Sequence, residues 1–186
     1  MNFYRFYIWI KRCCYCRGFG IQSPTDYRFV RYVINEHYPY YAYSDIKKLN
    51  GKFGWLSHKL GKLYFRIINY CQPNTVVNLL PDNELYDIYL RRGSSFANIL
   101  HDISEGNNAD LLLLAGDCGI NKNVVFSIIH NNSILIIEGI NNNDNARMFW
   151  KNIKYDNRVT ISFDLYYVGI AMFDEKRYKQ CYKINF

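Results

Sequence analysis

The sequence predicts an α/β fold: a mostly parallel sheet flanked by helices, closed by a C-terminal antiparallel hairpin and preceded by a helical arm. Three observations carry this. Thr75–Leu80, Asp110–Ala115 and Ser133–Glu138 are continuous apolar runs, the pattern of strands covered on both faces. Stretches with helical spacing stand between and after them, at 84–91, 96–104, 121–130 and 144–153, so strands alternate with helices. Beyond these the style changes: Arg158–Asp164 alternates apolar and polar residues, Tyr167–Phe173 follows after a short link, and Cys181–Phe186 adds a further strand.

The chain before the first strand reads as follows. Phe3–Arg12 mixes aromatic and basic residues and suits a helix lying on the body or on a membrane surface. Gly18 and Gly20 break it into a loop. Ser23 is placed to cap a new helix, with Pro24 in its first turn and Asp26 near the positive end of the dipole. Phe29, Val30, Val33, Ile34 and His37 share one face of that helix, and Pro39 ends it. Tyr38–Tyr43 reads as extended, followed by a short helix at 45–49 and a loop through Gly51 and Gly54. From His58 the pattern is clear: Leu60, Leu63, Tyr64, Ile67, Ile68 and Cys71 line one helical face, and Pro73 closes it. Residues 1–57 are thus expected to form a basic, aromatic helical arm and residues 58–186 an α/β domain.

Composition narrows the function classes. A chain of 186 residues, half of them apolar, suits one ordinary domain. Its apolar runs are far shorter than the roughly 20 residues of a membrane span, and the start lacks the cleavage pattern of a signal peptide. Cys13, Cys14 and Cys16 crowd together while Cys71, Cys118 and Cys181 are scattered; His37, His58, His101 and His130 stand alone. No metal spacing results, so reduced thiols in a cytoplasmic protein, with no metal, are expected. The net charge of +7 is uneven. Residues 1–66 hold 12 Lys and Arg against 3 Asp and Glu, a balance of +9, whereas residues 67–186 hold 11 against 13, a balance of −2. The basic arm could meet nucleic acid or an anionic membrane surface, or its aromatics could simply pack on the sheet. No Gly-x-Ser-x-Gly elbow or P-loop is present.

The first core strand ends in Leu80-Pro81-Asp82-Asn83. In open α/β sheets the turn after this strand is where a nucleotide-like ligand sits, usually against glycines. This turn has no glycine.

Several stretches carry a resemblance to a known family: Gly18-Phe-Gly-Ile-Gln-Ser-Pro24, Phe29–Ile34, the helix and turn over Leu63–Val77, Trp150–Ile153, and Val159–Leu165 with Gly169–Phe173. Together they resemble class I S-adenosylmethionine-dependent methyltransferases, in particular a bacterial O-methyltransferase-like family with an N-terminal helical arm. The resemblance implies a Rossmann-like sheet. It also implies an acidic residue at the end of the first strand, a glycine-rich turn for the cofactor, and a carboxylate from the second strand for the ribose hydroxyls.

The chain departs from that pattern in three places. Asn78, Leu80, Pro81, Asp82 and Asn83 occupy the acid and the turn; proline fixes φ and removes a donor, and leucine is bulky. Only 29 residues separate Pro81 from Ala109 inclusive, about half the roughly 60 needed for two strand–helix steps. The second strand and a helix are therefore expected to be lost. Ala115-Gly116-Asp117 and Glu138-Gly139 stand where the family places acids. Asp117 and Glu138 would lie at strand ends, where two carboxylates could take a cation; otherwise Asp117 caps a helix and Glu138 is solvated.

The vestigial cofactor positions are therefore Asn78, Asp82, Asn83, Asp117 and Glu138, with no catalytic residue assigned. The leading expectation is a truncated, degenerate methyltransferase-fold pseudoenzyme that does not bind S-adenosylmethionine. It would serve as a binding or scaffold module for a protein partner or a second copy. The alternatives are an active S-adenosylmethionine-dependent methyltransferase with an altered pocket, and a basic surface-binding protein for nucleic acid or anionic lipid.

Overall fold

A computed structural model describes residues 3–15, 17–49, 53–103 and 108–186; Cys16, Gly51 and Ser104, which enter the reading above, lie outside the described residues. One seven-stranded sheet organises the molecule. Its strands are β1 (Thr75–Leu79), β2 (Asn98–Leu100), β3 (Ala109–Ala115), β4 (Ile129–Glu138), β5 (Ile161–Asp164), β6 (Val168–Met172) and β7 (Gln180–Lys183). The spatial order is β2-β1-β3-β4-β6-β5-β7. β2, β1, β3 and β4 run parallel; β6 is antiparallel to both β4 and β5, and β7 joins β5 in parallel.

The helices are α1 (Phe3–Lys11), α2 (Pro24–Phe29), α3 (Tyr41–Leu49), α4 (Trp55–Cys71), α5 (Asn83–Gly93), α6 (Lys122–Ile128) and α7 (Asp144–Lys154). α2 begins as its sequence predicts. The Ser23 hydroxyl accepts from the Asp26 amide at 3.3 Å, and Pro24 occupies the first turn. It then widens into a π turn over Val30–Ile34. Buried Arg66 of α4 reaches that turn, donating from Nε to the Val33 carbonyl at 2.5 Å and from a terminal nitrogen to the Ile34 carbonyl at 3.0 Å. The guanidinium thereby satisfies carbonyls that the end of the helix leaves unpaired.

The apolar runs are continuous because successive residues serve opposite layers. Leu111 and Leu113 pack with Val76, Ile134 and Ile136 beneath α4 and α5. Leu112 and Leu114 pack with Val77, Leu135 and Ile137 beneath α6 and α7. Phe29, Val33, Ile34, Tyr43 and Ile46 from the arm join the first of these cores. Among the described residues no helix is long and apolar enough to cross a membrane.

Three expectations are corrected. Residues 96–103 of the stretch read as a helix over 96–104 do not form one; they hold β2, paired with β1 in the register Thr75↔Asn98 to Val77↔Leu100. The strand beside β1 is therefore present, only short. A run as brief as Ala97–Leu100 reads equally well at either period, so the sequence pattern cannot decide it. Tyr41–Tyr43, read as extended, is the first turn of α3.

Candidate functional site

The carboxyl ends of β1, β3 and β4 meet beside the N-terminal end of α5, and the candidate residues converge there. Strand parity puts the side chains of Asn78 and Glu138 on the α4–α5 side of the sheet, with Val76 and Ile136.

Asn78 is buried and committed within the chain. Its Nδ2 donates to Asp87 Oδ1 at 2.8 Å, and its Oδ1 accepts from the Leu80 amide at 3.3 Å. The His101 ring, just past β2, closes the network: Nδ1 lies 3.2 Å from the Asn78 carbonyl and Nε2 2.9 Å from Asp87 Oδ2. Both ring nitrogens face acceptors, so the two bonds form together only on the doubly protonated ring. The Asn78, Asp87 and His101 network therefore spans the ends of β1 and β2. Asp87 and His101 carried no signal in the sequence: one lies on a helix face, and the other looked isolated.

Leu80 turns inward and is 2% exposed, a member of the core, whereas Pro81 faces solvent. Asp82 occupies the N-cap position of α5 but makes no side-chain cap bond; its carboxylate accepts from the Ser57 hydroxyl at 3.2 Å. Asn83 opens α5.

Glu138 is the centre of a second cluster. Its carboxylate accepts from the Tyr64 hydroxyl at 2.8 Å and the Tyr86 hydroxyl at 3.2 Å. The two rings meet edge to face with centroids 4.9 Å apart. Burial raises the Glu138 carboxyl above its ordinary range; the tyrosine hydroxyls offset part of this, and the Asp82 carboxylate adds to it. Burial and the adjoining carboxylate push both phenols up in turn. Glu138 is thus not a solvated strand-end acid. The sequence reading placed Tyr64 in the core and assigned Tyr86 no role, and neither was tied to Glu138.

Asp117 does not join this cluster. It is exposed in the turn after β3, its carboxylate accepting from Asn143 Nδ2 at 3.4 Å. Nor does it cap the following helix: Asn121 caps α6 through the Asn123 amide at 2.9 Å. Among the described residues no group of three His, Cys, Asp or Glu side chains is placed to hold a metal ion.

A cavity of about 380 Å³ opens at the same end of the sheet, displaced toward β5. It lies between α1, the start of α4, the β5–β6 link and the residues after β7, and its walls include Trp9, Trp55, Lys59, Tyr167 and Phe186. Three other cavities, of about 470, 310 and 210 Å³, lie elsewhere. None of the four is lined by residues 78–83, Asp117 or Glu138.

No protein-family model matches the chain, and no curated protein matches it in sequence. Solved structures do match in fold. A Podospora anserina methyltransferase with SAH bound aligns with a TM-score of 0.55 at 10% identity, over 83% of this chain and 97% of that one. A methyltransferase from Geobacter sulfurreducens aligns with a TM-score of 0.51 at 11% identity, over 72% and 89%. The Streptomyces achromogenes O-methyltransferase TomG, in complex with SAM, aligns with a TM-score of 0.50 at 12% identity, over 72% and 90%. The chain has the Rossmann-like fold of class I S-adenosylmethionine-dependent methyltransferases.

Proposed function

We propose that this methyltransferase-fold protein does not bind S-adenosylmethionine and works as a binding module in the cytoplasm. The observation that carries the reading is the self-contained carboxyl edge of β1. A cofactor lying against that edge needs bare backbone and open polar groups. Here the Asn78 amide is committed to Asp87 and the Leu80 amide, His101 sits on the Asn78 carbonyl, and Leu80 is packed into the core. The residues present do not fit the cofactor, so no transfer step is derived through it. The aromatic cavity beside α1 is the site where such a module would hold its ligand. Six cysteines without a spaced disulfide framework suit a reducing compartment.

Titration calorimetry of the full chain with S-adenosylmethionine and S-adenosylhomocysteine tests this. No heat of binding is expected with either at millimolar concentration. Micromolar affinity for either overturns the reading and favours an active methyltransferase with an altered pocket.

A further inference from the structure

α1 carries its apolar stripe outward. Phe3, Phe6, Tyr7 and Ile10 recur at i, i+3, i+4 and i+7, one face of a helix. That face looks to solvent, with exposures of 86%, 43%, 47% and 48%. The opposite face turns to the body. Ile8 is buried there, and the Arg12 guanidinium donates to the Asp164 carboxylate at 2.7 Å and to the carbonyls of Asp164 and Ile184 at 2.9 and 3.2 Å. Asn185 fastens the same segment, donating from its side chain to the Trp9 carbonyl at 3.4 Å and from its backbone to the Tyr15 carbonyl at 3.0 Å. A helix packed only for stability would bury the stripe and leave the arginine in water. This one does the reverse. Trp9, half exposed and stacked 6.5 Å from Phe6, extends the stripe toward the cavity.

Charge decides what covers the stripe. Residues 1–25 contain Arg5, Lys11 and Arg17, besides Arg12 whose charge is answered by Asp164, and no Asp or Glu. A second copy seated on this face would bring the same positive field against itself. A nucleic acid would answer the charge and its bases could stack on the aromatic rings, but aliphatic Ile10 would gain no partner. The interface of an anionic bilayer answers both, because it takes apolar and aromatic side chains at the acyl boundary and cations among its headgroups.

We propose that α1 is an interfacial anchor that seats the protein on an anionic lipid bilayer. Phe3, Phe6 and Ile10 enter the acyl boundary, Tyr7 and Trp9 lie at headgroup depth, and Lys11 and Arg17 meet the phosphates. A nine-residue helix is marginal alone in water. The Arg12 and Asn185 ties hold it already formed, so binding need not supply the ordering. The proposal stands apart from the reading of the β1 edge, since none of its residues belongs to that edge.

The test is flotation of the full chain with vesicles of phosphatidylcholine alone and of phosphatidylcholine with phosphatidylglycerol. Expected is co-flotation with the anionic vesicles only, weakened by added salt. In a Trp55→Phe background Trp9 emission shifts to the blue on binding, while buried Trp150 supplies a constant signal. Phe6→Ser and Ile10→Ser each lower partitioning roughly tenfold, with circular dichroism and melting temperature unchanged. Absence of flotation, equal flotation on neutral vesicles, or equal flotation of the serine variants overturns the proposal. Retention of an oligonucleotide in place of vesicles does so too, as does a dimer that the serine variants dissolve.

Discussion

The Tyr64 hydroxyl donates to the Glu138 carboxylate at 2.8 Å, joining the middle of α4 to the carboxyl end of β4 across 74 positions of sequence. This bond, with that from Tyr86, places an acid under the helices that cover the sheet. Burial makes the ionised form unfavourable in the folded protein, so the folded carboxyl titrates above its unfolded value. The penalty is absent below the unfolded value of about 4.3 and grows as pH rises toward the folded one. Glu138→Gln keeps an acceptor and a donor for the two phenols. The variant is expected to match the wild type near pH 4 and to melt higher at neutral pH, as thermal melts across that range would show.

Asp110 behaves in the opposite sense. Burial raises its carboxyl, but the amides of Thr75 and Asn74, at 3.0 and 2.8 Å, and the His130 ring outweigh that and leave it lowered. Its stabilisation is present above the unfolded value of about 3.9 and disappears as pH falls through the folded one. Asp110→Asn should lower the melting temperature at neutral pH and converge with the wild type in acid.

Leu80, in the turn after β1, packs into the core. Leu80→Ala should destabilise by about 2–5 kcal/mol, read by denaturant titration, and should create no affinity for S-adenosylmethionine in calorimetry. A small loss of stability would show that the side chain is not the core contact described above.

Gly61 faces the Tyr89 ring so closely that an added Cβ would lie 2.3 Å from Tyr89 Cδ2. Alanine inside a helix normally gains about 1 kcal/mol over glycine. Overpacking a filled core costs about 1–3 kcal/mol, and the ring is held by the 3.0 Å contact between its hydroxyl and His58 Nδ1. Gly61→Ala is therefore expected to destabilise on balance, lowering the melting temperature by a few degrees.

Arg66→Met fills the same space without the donors. The Val33 and Ile34 carbonyls would then be buried and unpaired, at a cost of about 1–3 kcal/mol each. Loss of stability in denaturant titration, together with faster amide exchange over 30–36, is the expected result.

The continuous runs Asp110–Ala115 and Ser133–Glu138, the Ser23-Pro24 start and the alternating Arg158–Asp164 determined the α/β class, the parallel centre and the closing antiparallel pair. Each is a local pattern, and side-chain period and capping chemistry act over a few residues. Only the tertiary structure decided that 98–100 is a strand, because three residues acquire a period only from the neighbour they pair with. It likewise joined Asn78 to Asp87 and His101, 9 and 23 positions away, and turned the apolar stripe of α1 outward by tying Arg12 to Asp164, 152 positions distant. Polar partners at such separations leave no periodic trace in the chain. Their pairing is set by which strand ends and helix termini the sheet brings together.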